Sequence, residues 1–543
     1  MPTVAEVIVE ALVAGGVPRI FGAVGSSSLA LVEAAERGGL SVVHCHRDWA
    51  ACVMAAVTGE LTGRPGAALA LAGAASAAGI AHAHLDRAPL LHLSDPRRGA
   101  APISESFAAG REQDPADALG PIVKAATAIA PGSAARDVAE AIHLALQDPQ
   151  GPVRLDLPFD LTSPAPAGPP PGGALAPASA ALDITAVDRA GAMILRARRP
   201  LVLAGALCRP SDTKWLRAFC EAIPAPVLTT YKGKGALPDP HPLNMGVLTG
   251  GALEKPVLAR ADLIIAFGLD PAELSPRPWP YGAPVLSVAR RAAQPMPTGL
   301  DSFAPALEVV GDLGAILEDL APRLVGQSHA DWDLFEVDRL RRARLAALEI
   351  AVPGLAPHRI VQFAREVTPA GTIASADADA LLPVVAAYWH AVDLRELLVS
   401  SGPVLDGFAV PAAIAAQLAH PEGRAICFTD GRGLMVAAGE LETAARLHLP
   451  LAVVVFDDGG FAESEPEGES ARPDGAARRD RGPDVAAIAR GFGLRALVAA
   501  DEETFRSAFL SALAAASPTL IHARIDPSSR RRALDAVAGV PAS

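Results

Sequence analysis

The chain has 543 residues, 50% hydrophobic and 20% charged, with a formal net charge of −13; that length suits about three domains of ordinary size. The acidic balance, without any Lys/Arg run that could track phosphates, argues against nucleic acid, and no charge-free apolar run is long enough for a membrane span. Cys45, Cys52, Cys208, Cys220 and Cys427 are scattered and odd in number, which argues against a disulfide framework and for a reducing, cytoplasmic setting; Met1 to Glu10 carries acids and no signal-peptide core.

Taken in order, 4–14 is expected to be an amphipathic helix ending at Gly15-Gly16. A strand at 19–22 runs into Ala23-Val24-Gly25. Helix 28–36, strand 40–44 and helix 48–61 come next, closed by Thr62-Gly63-Arg64-Pro65-Gly66. Strands at 67–71 and 88–93 flank a helix at 79–85, and 151–158 closes a first unit spanning 1–162. Helices alternating with apolar strands imply an α/β fold with a parallel sheet covered on both faces. His44-Cys45-His46 with Cys52 has no standard zinc spacing and reads as a strand end entering a helix. A Pro/Gly/Ala-rich linker, 163–183, leads to a middle domain, 184–324, with strands at 200–204, 227–230, 261–267 and 285–288. A loop and charged helix, 325–352, connect to a last domain, 353–530, with strands at 372–375, 425–429, 451–456 and 520–524.

The most informative stretch is 426–461. An apolar run ends at Thr429-Asp430-Gly431, a helix spans 435–448, and a second apolar run ends at Asp457-Asp458-Gly459-Gly460-Phe461. Such a strand–helix–strand unit puts Asp430 and Asp458 at the carboxyl ends of two parallel strands, where ligands of open α/β sheets bind. Two carboxylates beside a Gly-rich turn can hold a hard cation against a diphosphate. An ordinary βαβ unit with solvated turn acids is the alternative.

This stretch resembles the diphosphate-binding motif of thiamine diphosphate (ThDP) enzymes of the acetolactate synthase and 2-oxo acid decarboxylase group. Their pattern is Gly-Asp-Gly, then Asn-Asn after two to three dozen residues. The resemblance extends along nearly the whole chain. It includes Phe21 to Gly25, Thr62 to Gly66, Leu85-Asp86-Arg87-Ala88-Pro89, Thr229 to Pro238, Ala261 to Gly268, and Gly407-Phe408-Ala409-Val410-Pro411. It implies three α/β domains in the order pyrimidine-binding, middle and diphosphate-binding.

By that resemblance the chain is an enzyme using ThDP and Mg2+ on a 2-oxo acid, by carboligation or decarboxylation. Carried over, Asp48 is the proton-relay carboxyl, one methylene shorter than the family's Glu, with capping of its helix as the plainer alternative. The family's bulky apolar wedge is replaced by Asp406, next to Leu405, which would bury a carboxylate under the cofactor. Arg111 could hold a substrate carboxylate, or only a surface ion pair. Val24, Gly25, Gly73, Leu405, Gly407, Gly431, Arg432, Gly433 and Phe461 would contact the cofactor. Asp430, Asp458 and the Gly460 carbonyl would hold the metal, with Asp458 in place of a neutral Asn. The resemblance also implies a homodimer or homotetramer, with the cofactor between subunits. FAD, held by the middle domain in some relatives, gets no vote from Lys232-Gly233-Lys234-Gly235. The stretch 463–481 is expected to be a lid or partly disordered loop. The departures at one site leave open a non-catalytic binding or regulatory protein of the same fold.

Overall fold

The computed structural model describes residues 1–23, 25, 28–71, 73–95, 117–166, 182–274, 279–292, 304–401, 405–459 and 482–540. Among them, eighteen strands form three six-stranded parallel sheets with helices between the strands. The apolar runs dictate this. A strand covered on both faces needs continuous hydrophobic sequence, and each step to a parallel neighbour needs a crossover connection, usually a helix.

The first compact unit comprises 1–178, 400–422 and 437–449. Its strands are β1 (Arg19–Gly22), β2 (Ser41–His44), β3 (Gly66–Ala70), β4 (Leu90–Ser94), β5 (Ala125–Ala128) and β6 (Pro152–Asp156), in the order β2-β1-β3-β4-β6-β5. The Thr-Gly-Arg-Pro-Gly segment acts through its two glycines. Gly63 closes helix Asp48–Thr62 in the left-handed region, at φ 67°. A Cβ on Gly66 would lie 2.0 Å from the Ala55 carbonyl oxygen, so only glycine lets β3 approach that helix.

Two helices from late in the chain, Ala409–Ala419 and Gly439–Arg446, belong to this unit. Glu440 explains one attachment. Its fully buried carboxylate accepts from the backbone N–H of His46 (3.0 Å) and Arg47 (3.1 Å), and from the Thr443 hydroxyl (2.8 Å). Burial pushes its carboxyl up from the ordinary value, and these donors hold it down in part. Helix Asp48–Thr62 receives no side-chain cap from Arg47; the entry to it is fixed instead by a residue nearly four hundred positions away.

The second unit comprises 179–399, 423–436 and 450–543 and contains two sheets. One holds β7 (Pro200–Ala204), β8 (Val227–Thr229), β9 (Asn244–Val247), β10 (Leu263–Phe267), β11 (Val285–Ala289) and β12 (Leu307–Val310), in the order β12-β11-β10-β7-β8-β9. The other holds β13 (Ile373–Ala376), β14 (Leu397–Leu398), β15 (Ala425–Asp430), β16 (Ala452–Asp457), β17 (Arg495–Ala499) and β18 (Thr519–Arg524), in the order β14-β13-β15-β16-β18-β17. Phe428 of β15 stacks on Phe456 of β16, with Trp389 edge-on to Phe428. The charged helix expected over 332–348 runs Leu334–Ala347. It is tied down at both ends: buried Trp332 donates to the Pro200 carbonyl (2.8 Å), and Tyr388 donates to that of Leu345 (2.9 Å).

The sequence reading missed β5, β9, β12, β14 and β17, all edge strands. β5, β12 and β17 are partly covered, and β9 and β14 are only four and two residues long, so they lack the apolar run that reveals a central strand. The single helix expected over 435–448 is two, Gly431–Ala437 and Gly439–Arg446. Gly439 sits at the break, where an added Cβ would come within 3.2 Å of the His46 side chain.

Replacing Glu440 by Ala should destabilise the protein by about 1 kcal/mol, because two part-buried N–H groups lose their acceptor. Chemical denaturation should show this loss, and hydrogen exchange should rise at the start of helix Asp48–Thr62. Glu440→Gln, which keeps an acceptor oxygen, should lose less.

Candidate functional site

Strands β13, β15, β16 and β18 are consecutive neighbours in the third sheet, so residues just beyond their carboxyl ends gather along one edge. Asp379 comes just after β13, Asp430 ends β15, Asp458 comes directly after β16, and Arg530 opens the helix Ser529–Ala538 after β18. Strand order therefore brings together Asp430 and Asp458, as expected from the sequence. It adds two groups that the sequence reading missed.

The four side chains form one ionic cluster. Arg530 points Nη1 at Asp379 Oδ2 (2.9 Å), Nη2 at Asp430 Oδ2 (3.1 Å) and Nε at Asp458 Oδ2 (3.1 Å). Burial works against the Arg530 charge, but the three carboxylates together raise its pKa. Asp379 is pushed up to about 6, chiefly by burial and against the pull of Arg530. Asp430 also uses Oδ1 to accept the Gly433 N–H (2.6 Å), which caps its own helix. Gly433 must be glycine, since a Cβ there would lie 2.2 Å from Asp377 Oδ2. Gly431 leads into the same turn, and Arg432 is exposed. Asp457 takes no part: it bonds His522, which holds its carboxyl below the usual range. A signal for Arg530 existed in the Arg530-Arg531-Arg532 run just after the last strand of an acidic chain.

This geometry tests the expected metal. Asp430 and Asp458 do converge, but a guanidinium already lies between them, so the residues present do not fit Mg2+ as they stand. Nor is the spot a ready anion site: three carboxylates surround one guanidinium, each of whose nitrogens already faces an acid.

In the first unit, Asp48 is the first residue of helix Asp48–Thr62 and is buried, its Oδ2 accepting a long bond from the Leu71 N–H (3.4 Å). A buried carboxyl at that junction fits a partner for a ring nitrogen. Gly73 adopts φ 124°, ψ −154°, open essentially to glycine alone. Gly25 donates its N–H to Ser28 Oγ (3.3 Å). Buried His82 meets Ser400 Oγ (3.0 Å) and Asp86 (3.2 Å), with its ring tilted on Phe408. These contacts tie Ser400 and Phe408 to the helix that carries His82. Leu405 is buried and Gly407 has φ 80°. Asp406 is exposed in the single chain. Val24, Arg111, Gly460, Phe461 and the 463–481 loop lie outside the described residues.

FAD can be tested at the switch point between β7 and β10, the usual seat of a dinucleotide. Glu273 Oε2 accepts there from the N–H groups of Ala206 (2.8 Å) and Asp270 (3.1 Å), while Oε1 accepts from the Thr230 hydroxyl. A Cβ on Gly205 would meet Glu273 Oε2 at 2.7 Å. The chain's own carboxylate takes the amides that a nucleotide phosphate would need, so the residues do not fit FAD.

Comparison with known proteins agrees with this layout. Three family models match: the N-terminal thiamine pyrophosphate (TPP) binding domain of thiamine pyrophosphate enzymes at residues 2–101, their central domain at 187–320 and their C-terminal TPP binding domain at 382–523. The chain belongs to the thiamine pyrophosphate enzyme family. Among its relatives, the catabolic acetolactate synthase of Raoultella terrigena is 26% identical over 476 residues, covering 84% of this chain and 83% of that protein. A probable 2-ketoarginine decarboxylase of Pseudomonas aeruginosa is 26% identical over 502 residues, covering 90% and 88%. Benzoylformate decarboxylase from Polynucleobacter necessarius superposes with a TM-score of 0.78 at 19% identity, covering 97% of this chain and 99% of that one. The ThDP-dependent 4-hydroxybenzoylformate decarboxylase of Rhodococcus jostii gives 0.76 at 22%, covering 97% and 100%. At such identities these two structures speak for the fold.

The Glu273 contact predicts a pH dependence. Its carboxyl is pushed up to about 7 from an ordinary 4.5, mainly by burial. The native state then holds a proton that the unfolded chain releases, so stability falls as pH rises from about 4.5 to about 7, by at most about 3 kcal/mol. Thermal melts across that range should show Glu273→Gln losing less stability on going up in pH than the parent protein.

Proposed function

We propose that the protein is a ThDP-dependent enzyme that makes or breaks the carbon–carbon bond beside the carbonyl of a 2-oxo acid. Acetolactate synthase-like carboligation and simple decarboxylation are the two forms its relatives suggest. The observation that carries this reading is the buried acid at the start of helix Asp48–Thr62, the position the family uses for its proton relay.

When bound, ThDP would supply an electron sink for the electron pair that carbon–carbon cleavage leaves on the former carbonyl carbon. The protein's part is positioning and proton handling. Asp48 would hold a proton at the pyrimidine ring nitrogen. Being one methylene short, it places its carboxyl of order 1 Å differently from a Glu, a shift that can cost about 100-fold in rate unless the ring sits deeper. Gly73 and Gly407, both in backbone conformations that favour glycine, would let the chain approach the cofactor closely. Leu405, buried and apolar, would take the wedge role.

We place the pyrimidine-binding domain at 1–162, the middle domain at 184–324 and the diphosphate-binding domain at 353–530. At least a homodimer is required if the cofactor lies between the first domain of one copy and the last of another. No helix among the described residues is long and apolar enough to cross a membrane, and a cytoplasmic enzyme is the proposed setting.

Calorimetric titration with ThDP should show binding, and pyruvate should then yield CO2. Asp48→Asn should lower turnover by about 100-fold or more while ThDP still binds. Absence of both heat and a thermal shift with ThDP would remove the enzyme reading. Binding without turnover on any 2-oxo acid would favour a non-catalytic member of the family.

A further inference from the structure

A divalent ion in a site of this kind bridges acids at neighbouring strand tips. Here one guanidinium does that bridging. Each of its three nitrogens faces a different carboxylate, at 2.9–3.1 Å, and the four side chains are 9–20% exposed. Three acids at one spot repel one another strongly when shielded from water. A cation among them is therefore required, and the chain supplies it.

Arg530 is placed by its surroundings. The turn before its helix is fixed by Asp526 Oδ1, which accepts the Ser528 N–H (2.8 Å), and Ser529 is fully buried. Arg532 Nη1 donates to the Ala351 carbonyl (2.6 Å). Toward the helix's far end, the Val537 carbonyl accepts the Ala252 N–H (2.7 Å). The guanidinium is thus held in position from both ends of its helix.

An incoming Mg2+ would have to separate two charge-assisted contacts, to Asp430 and Asp458, and leave Arg530 with Asp379 alone in a largely covered place. We infer that Arg530 is the permanent cation of this site, so that Asp430 and Asp458 take up no divalent ion in the intact chain. This goes beyond the proposed function and concerns the cation seat alone; it stands whether or not ThDP binds.

Mn2+, which takes the same oxygen ligands as Mg2+, can be titrated into the full-length protein and tracked by the free-ion paramagnetic resonance signal. The parent protein should show no one-per-chain site tighter than millimolar, and Asp430→Asn should leave its titration unchanged. Arg530→Gln should gain one site per chain, at least a hundredfold tighter, which a further Asp430→Asn abolishes. A tight Mn2+ site in the parent protein, lost on Asp430→Asn, would overturn the inference. So would a folded Arg530→Gln that gains no site. Should Arg530→Gln not fold, the comparison of the parent protein with Asp430→Asn still decides it.

Discussion

The ion cluster of Arg530 with Asp379, Asp430 and Asp458 is the interaction on which the candidate site depends. It links the ends of four neighbouring strands to the helix Ser529–Ala538. Like-charged carboxylates a few ångströms apart repel by about 1 kcal/mol in water-like surroundings and about 4 in protein-like ones. Without the guanidinium, those tips would spread or take up protons. Removing one partner from such a partly covered cluster costs more than keeping it, because the remaining charges stay shielded from water. The last helix is thereby part of the site.

The two sheets of the second unit obey the same logic with opposite sign. At the β7–β10 switch point, Glu273 presents a carboxylate to backbone amides that could hold a phosphate. At the β15–β16 edge, Arg530 presents a cation to carboxylates that could hold a metal. In each place the fold offers a binding geometry, and a side chain of the protein completes it. A shared architecture can therefore persist while its usual ligands are replaced, which is why membership of the family constrains the fold more tightly than the cofactor set.

Much of this was legible in the sequence. Central strands appeared as apolar runs, and the segment from Thr62 to Gly66 marked a helix end. The spacing of Asp430 and Asp458 put them on adjacent strands, because one crossover connection separates them. What escaped notice depends on contacts between distant residues. Edge strands such as β5 and β17 are only half covered, so they carry no continuous apolar signature. Glu440 capping the entry to helix Asp48–Thr62 joins positions with nothing local in common. Arg530 reads as one of three arginines in a row, and only the sheet order shows that it, and not Arg531 or Arg532, faces the acids. At the wedge position that the resemblance gives to Asp406, the single chain exposes Asp406 and buries the adjacent Leu405.

The central claim is that a side chain, not a metal, sits between Asp430 and Asp458. Crystals grown with Mn2+ and ThDP, with anomalous diffraction recorded at the manganese edge, address it most directly. The expected result is continuous guanidinium density joining the two carboxylates and no anomalous peak between them. A strong anomalous peak at that point, with Arg530 swung aside, would contradict it.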